Sequence, residues 1–323
     1  MSDNGGPLPL NCILSEMAEE LSSTQKEYLQ IQLRYDHRDD LPPPNTLAVH
    51  QIQHALIVRA VQRYAAQHEV HMLDVGCGWG DFSNQLDPYL KSYVGIEPSP
   101  IELGRFSQRP NRFLVRGVGE NMDFLKDQSR NFVLLNSVLD HCYDWRRTFA
   151  NCLRVLASGG LMIISMENSQ KLIARVRRAL GREHVHQGHL EFFGVDDTKK
   201  FLREEFEILE SCTIGFLFGM HAVTRRVPLP VAPLRLLNRV VNGVCRVLVP
   251  NGGHIFFISA IRRGTPGSSV QFNAPFRCSR CGTDLVFGLT PCPACGLKLP
   301  YAKEGYLDGV ELNAPLKDAI GLG

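Results

Sequence analysis

The stretch from Met72 to Asp81 constrains the fold of this chain most, and it reads Met-Leu-Asp-Val-Gly-Cys-Gly-Trp-Gly-Asp. Its apolar start is typical of a buried parallel strand. Glycines at alternate positions permit a tight turn and let a ligand approach the backbone closely. A helical pattern opens at Asp81, so the loop ends at a helix N-terminus with backbone amides available for binding. The stretch therefore predicts a strand, a ligand-binding loop and a helix.

The spacing and charge of this loop indicate the kind of ligand. Gly-x-Gly-x-Gly differs from the Gly-x-Gly-x-x-Gly of dinucleotide-binding enzymes, and Asp74 in the strand disfavours a pyrophosphate. Carboxylates on both sides of the loop, from Asp74 and Asp81, suit a ligand that carries an ammonium and a sulfonium. An ordinary glycine-rich turn without a ligand is the alternative interpretation.

A second strand is predicted at 93–97 and ends in an acid, Glu97. In doubly wound folds an acid about twenty residues after the glycine loop accepts hydrogen bonds from the ribose hydroxyls. Taken alone, Glu97 would be a solvated loop residue. Its register with the glycine loop makes it a candidate ribose ligand.

With these elements placed, the chain resembles the class I S-adenosylmethionine-dependent methyltransferases of the type 11-like group. Residues 72–81 match the first motif of that family and 93–97 match the second. Further matching segments are 117–124, 132–141 and 153–164. The resemblance implies an α/β fold with a doubly wound, mostly parallel, Rossmann-like sheet of seven strands. A reversed hairpin strand is expected at its end.

The resemblance also implies S-adenosylmethionine as cofactor and assigns its ligands position by position. The candidates are Asp74, Gly76, Cys77, Gly78 and Gly80 for the amino-acid part, Glu97 for the ribose, Pro98, Ile101 and Gly119 for the adenine, and Asn136 and Ser137 for the methionine portion. Two positions depart from the family pattern. Val118 replaces an acid that usually bonds the adenine, and Asn131 replaces the Asp that usually opens the fourth strand. Both are expected to weaken adenine recognition slightly.

Four cysteines near the C-terminus form two Cys-x2-Cys knuckles separated by ten residues: Cys278, Cys281, Cys292 and Cys295. This pattern predicts a closed tetrahedral site for structural zinc, whereas a redox pair or two disulfides are the alternatives. Residues 276–312 also resemble the small zinc-ribbon activator subunits of tRNA and protein methyltransferases. That resemblance implies docking on a methyltransferase domain, in the same chain or in a protein partner. Binding of RNA by the ribbon is the less favoured alternative, because the ribbon has few basic residues.

The chain divides into segments by motif and composition. We expect an N-terminal helical cap or solvated helix, a cofactor-binding domain with a helical lid insert near 229–250, a linker, the zinc ribbon and a tail. Their boundaries are 1–46, 47–263, 264–275, 276–312 and 313–323. A net charge near +2 gives no argument for nucleic-acid binding. No signal-peptide pattern or membrane-length apolar run is present, so a cytoplasmic location is expected.

The insert 229–250 has an unusual helical wheel. Its polar residues form one narrow stripe, and apolar residues cover the remainder. The stripe consists of Arg235, Asn238, Arg239, Asn242 and Arg246. We expect a lid packed over the sheet, although a wall for a lipid-like substrate or a helix at the membrane surface would fit the same pattern.

Methyl transfer needs mainly alignment and sometimes a base. His141, after the fourth strand, is either a candidate base or only a packing residue, and His186 and His189 are rival candidates for the base. With His184 the latter two could instead hold a metal, which their spacing disfavours. Glu191 and Asp196 are further substrate-site candidates, and an acid-capped helix is expected over 196–202.

The predicted function is methyl transfer to a small-molecule, lipid-linked or glycan-linked acceptor. One alternative is an RNA or protein methyltransferase that uses the zinc ribbon for recognition. Another is a catalytically inactive scaffold that binds a partner, because Val118 and Asn131 depart from the family pattern.

Overall fold

The structure is a computed structural model, and it describes residues 22–36, 43–180, 191, 193–217, 230–265, 272 and 274–310. The described residues form ten strands, namely β1 Val70–Val75, β2 Leu90–Glu97, β3 Arg112–Arg116, β4 Arg130–Asn136, β5 Leu156–Glu167, β6 Phe206–Ile214, β7 Ile255–Arg262, β8 Phe276–Arg277, β9 Asp284–Leu285 and β10 Leu307–Asp308. The α-helices within these residues are α1 Ser23–Leu33, α2 Pro44–Ala65, α3 Asp81–Gln85, α4 Pro100–Leu103, α5 Trp145–Val155, α6 Leu172–Ala179, α7 Val195–Leu202 and α8 Val231–Leu248. Short 3-10 helices span Asp87–Tyr89 and Leu139–His141.

The central sheet has the strand order β10-β3-β2-β1-β4-β5-β7-β6. Strands β1 to β5 are parallel, and β7 alone runs antiparallel to both of its neighbours. The predicted doubly wound, mostly parallel fold with a reversed strand is therefore confirmed. The carboxyl ends of β1 to β5 meet at one edge, and the order reverses beside β1. Ligands of open α/β sheets bind at that place.

The sheet is covered by apolar side chains on both faces. Leu73 and Val75 of β1 belong to one buried cluster, whereas Met72 belongs to the other, as the alternation of strand side chains requires. The second cluster includes one face of α2, with Val49 and Ile57 fully buried. The glycine loop is thus held by a strand that is packed on both sides.

An eighth strand, which the sequence did not predict, comes from the cysteine-rich segment. β10 pairs in parallel with β3, joining Leu307 to Val115 and Asp308 to Arg116. The guanidinium of Arg116 also contacts the carboxylate of Asp308 at 3.0 Å. The segment 276–310 is therefore docked on the edge of the main sheet in the same chain.

Aromatic side chains fill the contact between this segment and the sheet. Phe113 of β3 packs edge-on against Phe276 and lies 5.1 Å, centroid to centroid, from Phe287. Phe276 and Leu307 belong to the same buried cluster as the strands β1 to β5. The segment shares the core of the larger fold.

Helix α1 crosses the carboxyl edge of the sheet. Ser22 caps it, and Gln25 completes the capping box. The side-chain amides of Gln25 and Gln32 donate to the backbone carbonyls of Tyr143 and His141, at 2.9 and 2.7 Å. The described part of the predicted N-terminal segment, 22–36, thus lies over the carboxyl edge of the sheet.

Of two expectations about helices, one was right except for its cap and the other was wrong. The helix expected over 196–202 is present as α7, but it begins after Gly194, whose position has no side-chain cap; Asp196 lies inside the first turn and bonds Asn251 and Lys199. Helix α8 has its polar stripe buried and its apolar residues exposed, the reverse of a lid packed by its apolar face. The reason is that α2 and β6 offer polar partners to the stripe.

Within the described residues, no helix is both long and apolar enough to cross a membrane. The tail 313–323 and most of the linker 264–275 lie outside those residues.

Candidate functional site

The glycine loop joins β1 to α3 at the carboxyl edge of the sheet. Gly76, Gly78 and Gly80 have φ angles of 71°, 52° and 85°, a region that L side chains rarely adopt. A Cβ on Gly76 would lie 2.7 Å from Val138, and one on Gly80 would lie 2.2 Å from Phe106. A Cβ on Gly78 would meet only the carboxylate of Glu102, at 4.0 Å. Gly76 and Gly80 thus serve the turn and its packing, while Gly78 leaves space for a ligand.

The loop amides are largely bonded within the protein. Gly76 and Cys77 donate to the carbonyl of Ile96, and Gly80 donates to the carbonyl of Cys77. The Cys77 side chain is buried, and burial raises the pKa of its thiol. Its Sγ would lie only 2.7 Å from a Cβ on Gly95, so the absence of a side chain on Gly95 makes room for the thiol. Cys77 therefore packs into the sheet, and the loop offers a ligand its shape and its neighbouring carboxylates.

Asp74 is the acid that precedes the loop, and only 2% of it is exposed. Its Oδ2 accepts a 2.8 Å hydrogen bond from the hydroxyl of Tyr93 on β2. Burial raises the pKa of Asp74 to about 7, and the charge of Glu97 adds to the shift. A ligand cation beside Asp74 would favour the ionised carboxylate.

Glu97 ends β2 and reaches back to the loop. Its Oε2 accepts from the amide of Gly78 at 3.0 Å, and its Oε1 accepts from the amide of Ser99 at 2.9 Å. Burial raises its pKa to about 7, while the two amides oppose that shift. Because a carboxylate offers about four lone-pair sites, both oxygens keep one for a ligand hydroxyl. This arrangement fits a vicinal diol such as a ribose.

The predicted adenine residues lie on the loops after β2 and β3. Pro98 is half-buried and Ile101 is exposed. A Cβ on Gly119 would meet Thr148 at 2.5 Å, so that backbone is tightly packed against α5. Val118, which replaces the usual acid, packs with Leu29 of α1 and with the segment that follows β10.

Asn131 does not belong to this site, contrary to the expectation. It lies at the amino end of β4, the sheet edge opposite the cleft. Its amide side chain accepts from the backbone of His71 and donates to the carbonyl of Glu69, at 2.8 and 2.7 Å. Its departure from the family pattern therefore has no bearing on adenine recognition.

Asn136 and Ser137 lie at the carboxyl end of β4. The Oδ1 of Asn136 accepts from the side-chain amide of Gln53 at 2.8 Å, and this amide also bonds Ser165 of β5 at 2.9 Å. Ser137 has a φ of 55° and donates its amide to the carbonyl of Ser165. Gln53 is fixed in this network from α2, and no motif in the sequence indicated it.

A second polar cluster borders the end of β5. The ammonium of Lys171 bonds the carboxylate of Glu167 and lies 3.4 Å from Nδ1 of His254. The sequence did not indicate this cluster, because Glu167 and Lys171 alone form an ordinary i, i+4 pair and His254 joins them from a distant part of the chain. It lies on the sheet edge that also holds Asn136.

The candidate bases have different outcomes. His141 lies half-buried in the 3-10 helix after β4, beneath α1, at the carboxyl edge of the sheet. His184, His186 and His189 lie outside the described residues. Glu191 is exposed, and Asp196 is engaged on the surface by Lys199 and Asn251.

The four cysteines of the knuckles converge. Their Sγ atoms all lie within 4.8 Å of one another, with 3.7 Å between Cys278 and Cys295 and between Cys281 and Cys292. Tetrahedral Zn–S bonds of about 2.3 Å require S–S distances of about 3.8 Å. The glycines after the knuckles, Gly282 and Gly296, have φ angles of 74° and 71°, so each knuckle ends in a turn that favours glycine. The donor set fits zinc.

Comparison with known proteins agrees with this geometry. Residues 73–164 match the family model described as a methyltransferase domain. The chain is 27% identical over 139 residues to a ubiquinone biosynthesis O-methyltransferase of Pelagibacter ubique, which covers 42% of this chain and 56% of that protein. It is 36% identical over 96 residues to an uncharacterized methyltransferase of Mycobacterium sp. (strain KMS), covering 29% and 37%. The chain thus spans about half or less of the length of these relatives.

Among solved structures, the N-methyltransferase NodS of Bradyrhizobium japonicum, in complex with S-adenosyl-L-homocysteine, is similar at 15% identity and a TM-score of 0.45. That match covers 75% of this chain and 99% of NodS. Residues 73–164 thus match a methyltransferase domain, and the sheet that holds them has the doubly wound, mostly parallel order of a Rossmann-like fold.

Proposed function

We propose that this protein transfers a methyl group from S-adenosylmethionine to a small-molecule, lipid-linked or glycan-linked acceptor. The observation that carries the proposal is the position of Glu97, which is buried, bonded to the loop at Gly78 and still able to accept two hydroxyls. Asp74 supplies a carboxylate on the other side of the loop. The bound cofactor would contribute a methyl group on a sulfonium, which is a reactive donor in itself.

The residues of the chain would then bind and align. Glu97 would hold the ribose, Gly78 would let the amino-acid part approach the backbone, and Asn136 would face the methionine portion from β4. Alignment of an acceptor atom with a methyl donor supplies much of such a rate enhancement. His141 lies at the carboxyl edge of the sheet and is our candidate for receiving a proton from the acceptor.

The acceptor class is inferred from the name of a similar protein and from the contacts of the ribbon. The similar protein from Pelagibacter ubique is named for ubiquinone biosynthesis, which favours a small or lipid-like acceptor. In the ribbon, the guanidinium of Arg277 donates to the carbonyl of Asp123 and to the carboxylate of Asp127. These contacts within the chain argue against a role for Arg277 in binding RNA. The ribbon in this proposal is a zinc-bound structural element that docks on its own chain through β10.

Labelled methyl transfer tests the acceptor class. The full chain is incubated with methyl-labelled S-adenosylmethionine and an extract of the organism that carries the gene, then separated into lipid, small-molecule, RNA and protein fractions. We expect label in the lipid or small-molecule fraction with the wild type and none with Glu97→Ala. Glu207→Ala, which changes an exposed acid on β6, is the matched control and should transfer like the wild type. Label in RNA or protein would contradict the proposed acceptor.

A further inference from the structure

Helix α8 presents its polar stripe to the protein. Asn238 is fully buried, and its amide donates to Oδ1 of Asn45 on α2 at 3.0 Å. Oδ1 of Asn242 accepts from the amide of Gly215 at 3.1 Å, just beyond β6. Nε of Arg246 donates to the carbonyl of Thr213 at 3.1 Å. These bonds fix the rotation of the helix about its axis.

The opposite face of α8 is apolar and exposed. Its side chains are between 45% and 81% exposed, namely Leu236, Leu237, Val240, Val244, Val247 and Leu248. We call these six residues the α8 apolar face. A surface helix of a globular protein normally turns its apolar stripe to the core, and a contiguous exposed apolar patch marks a contact surface. A rotation that buried this face would break the asparagine bonds and bring Arg246 out of its place, so the exposure is a property of the fold.

The charge on α8 itself is of one sign. The helix has no acidic residue and three arginines, of which Arg235 and Arg246 bond Gln51 and Thr213 within the protein. Arg239 is exposed on α8 itself. An apolar face beside an exposed arginine, on a helix without acids, suits the boundary of an anionic lipid surface, where apolar side chains enter the acyl region and cations meet phosphate headgroups.

A second helix with exposed apolar residues meets α8 at its end. The amide of Leu172, the first residue of α6, donates to the carbonyl of Gly252 in the turn after α8. Leu172, Val176 and Leu180 are 42%, 46% and 66% exposed, and Arg175 beside them is exposed as well. The same combination of aliphatic and basic residues thus recurs next to α8.

We propose that the α8 apolar face lies on the surface of an anionic phospholipid bilayer. A second copy of the chain fits less well. A two-fold contact across this face would pair an arginine-bearing surface with itself, because α8 has no acid to oppose Arg239. The face also lacks the aromatic residues that are enriched in protein interfaces. The helix is not apolar enough to span, so it lies in the plane of the interface.

Vesicle co-sedimentation of the full chain tests this inference and does not depend on methyl transfer. We expect the wild type to pellet with vesicles of phosphatidylcholine and phosphatidylglycerol, and less with phosphatidylcholine alone. The double variant V240E/V244E should lose about tenfold or more of its partition coefficient, because charges replace side chains that enter the acyl boundary. Arg239→Gln should lose about fivefold on anionic vesicles only, since one basic residue near such a surface contributes about 1 kcal/mol.

Val286→Glu is the matched control, because Val286 is 65% exposed but lies in the ribbon; its partition should equal that of the wild type. Since Val240 and Val244 are exposed, their replacement should leave the thermal midpoint unchanged, which separates lost docking from misfolding. Absence of wild-type binding to anionic vesicles would overturn the inference. Equal binding of V240E/V244E would also overturn it, as would a wild-type dimer that the double variant converts to a monomer without any vesicle binding.

Discussion

The hydroxyl of Tyr93 donates a 2.8 Å hydrogen bond to Oδ2 of Asp74, and this bond joins β2 to β1 directly beneath the glycine loop. Both side chains are buried, and the Tyr93 hydroxyl is a neutral partner that brings no positive charge to the Asp74 carboxylate. Burial therefore dominates, raising the pKa of Asp74 to about 7. The acid that faces the proposed cofactor is held in a site where its charge is costly until a cation arrives.

Replacing Asp74 by Asn should change how the stability of the cofactor-free protein depends on pH. A carboxyl whose folded pKa is raised contributes stability that is fully present below its unfolded pKa near 4, and lost as pH rises through about 7. Wild-type stability should therefore fall between about pH 4 and pH 7. Asp74→Asn keeps an acceptor for Tyr93 and should flatten this fall, as measured by urea midpoints. An equally steep fall in the variant would contradict the assignment.

Glu97→Gln should weaken cofactor binding by about ten- to a hundredfold, since hydrogen bonds to charged groups contribute about 1.5–3 kcal/mol. One oxygen becomes an NH2 group that faces the amide of Gly78 or Ser99, so two donors meet. Isothermal calorimetry with S-adenosylhomocysteine measures the loss. Glu207→Gln, on the exposed side of β6, should bind like the wild type.

Gly80→Ala should lower the free energy of unfolding by roughly 1–3 kcal/mol. The residue has a φ of 85°, and its new Cβ would lie 2.2 Å from Phe106. Chemical denaturation measures the change. Gly243→Ala is the control, because a Cβ there meets nothing within 4 Å. In the middle of α8 that change should stabilise by up to about 1 kcal/mol. Similar destabilisation by both variants would argue against a special role for the loop.

Removing zinc should loosen the edge of the main sheet as well as the ribbon. Cys281→Ser alters an exposed cysteine of the cluster, so packing is little affected. Because β10 bonds β3, we expect faster hydrogen exchange over Arg112–Arg116 and less than one equivalent of zinc by elemental analysis. Cys245→Ser, outside the cluster, should retain the full metal content and slow exchange. Unchanged exchange in metal-free protein would show that the ribbon folds without zinc.

The elements predicted well from the sequence are those with a dense local pattern. The alternation of glycines after an apolar strand indicated the loop at 76–80, and the register of Glu97 with that loop indicated the second acid. Two close cysteine pairs indicated a metal cluster. In each case the residues lie within about twenty positions of one another, at a spacing typical of the motif, so tertiary packing has little freedom to move them.

Other features depend on contacts that the sequence does not display. β10 is only two residues long, so it has no periodicity to detect. The wheel of α8 shows two faces but cannot show which one finds polar partners; Asn45 and Gly215 decide that from distant segments. Gln53 reaches the site from α2, which has no motif. Asn131 was expected at the start of the fourth strand and lies there, but its expected effect on adenine recognition was wrong, because that end of the strand is on the sheet edge opposite the cleft.

Calorimetric titration of the zinc-loaded full chain with S-adenosylmethionine and S-adenosylhomocysteine, with NAD as control, tests the central claim most directly. The account predicts micromolar binding of both sulfur ligands, no binding of NAD, and loss of binding in Asp74→Ala and Glu97→Ala. Absence of binding by either sulfur ligand, or equal binding by the two variants, would contradict the assignment of this edge of the sheet as the cofactor site.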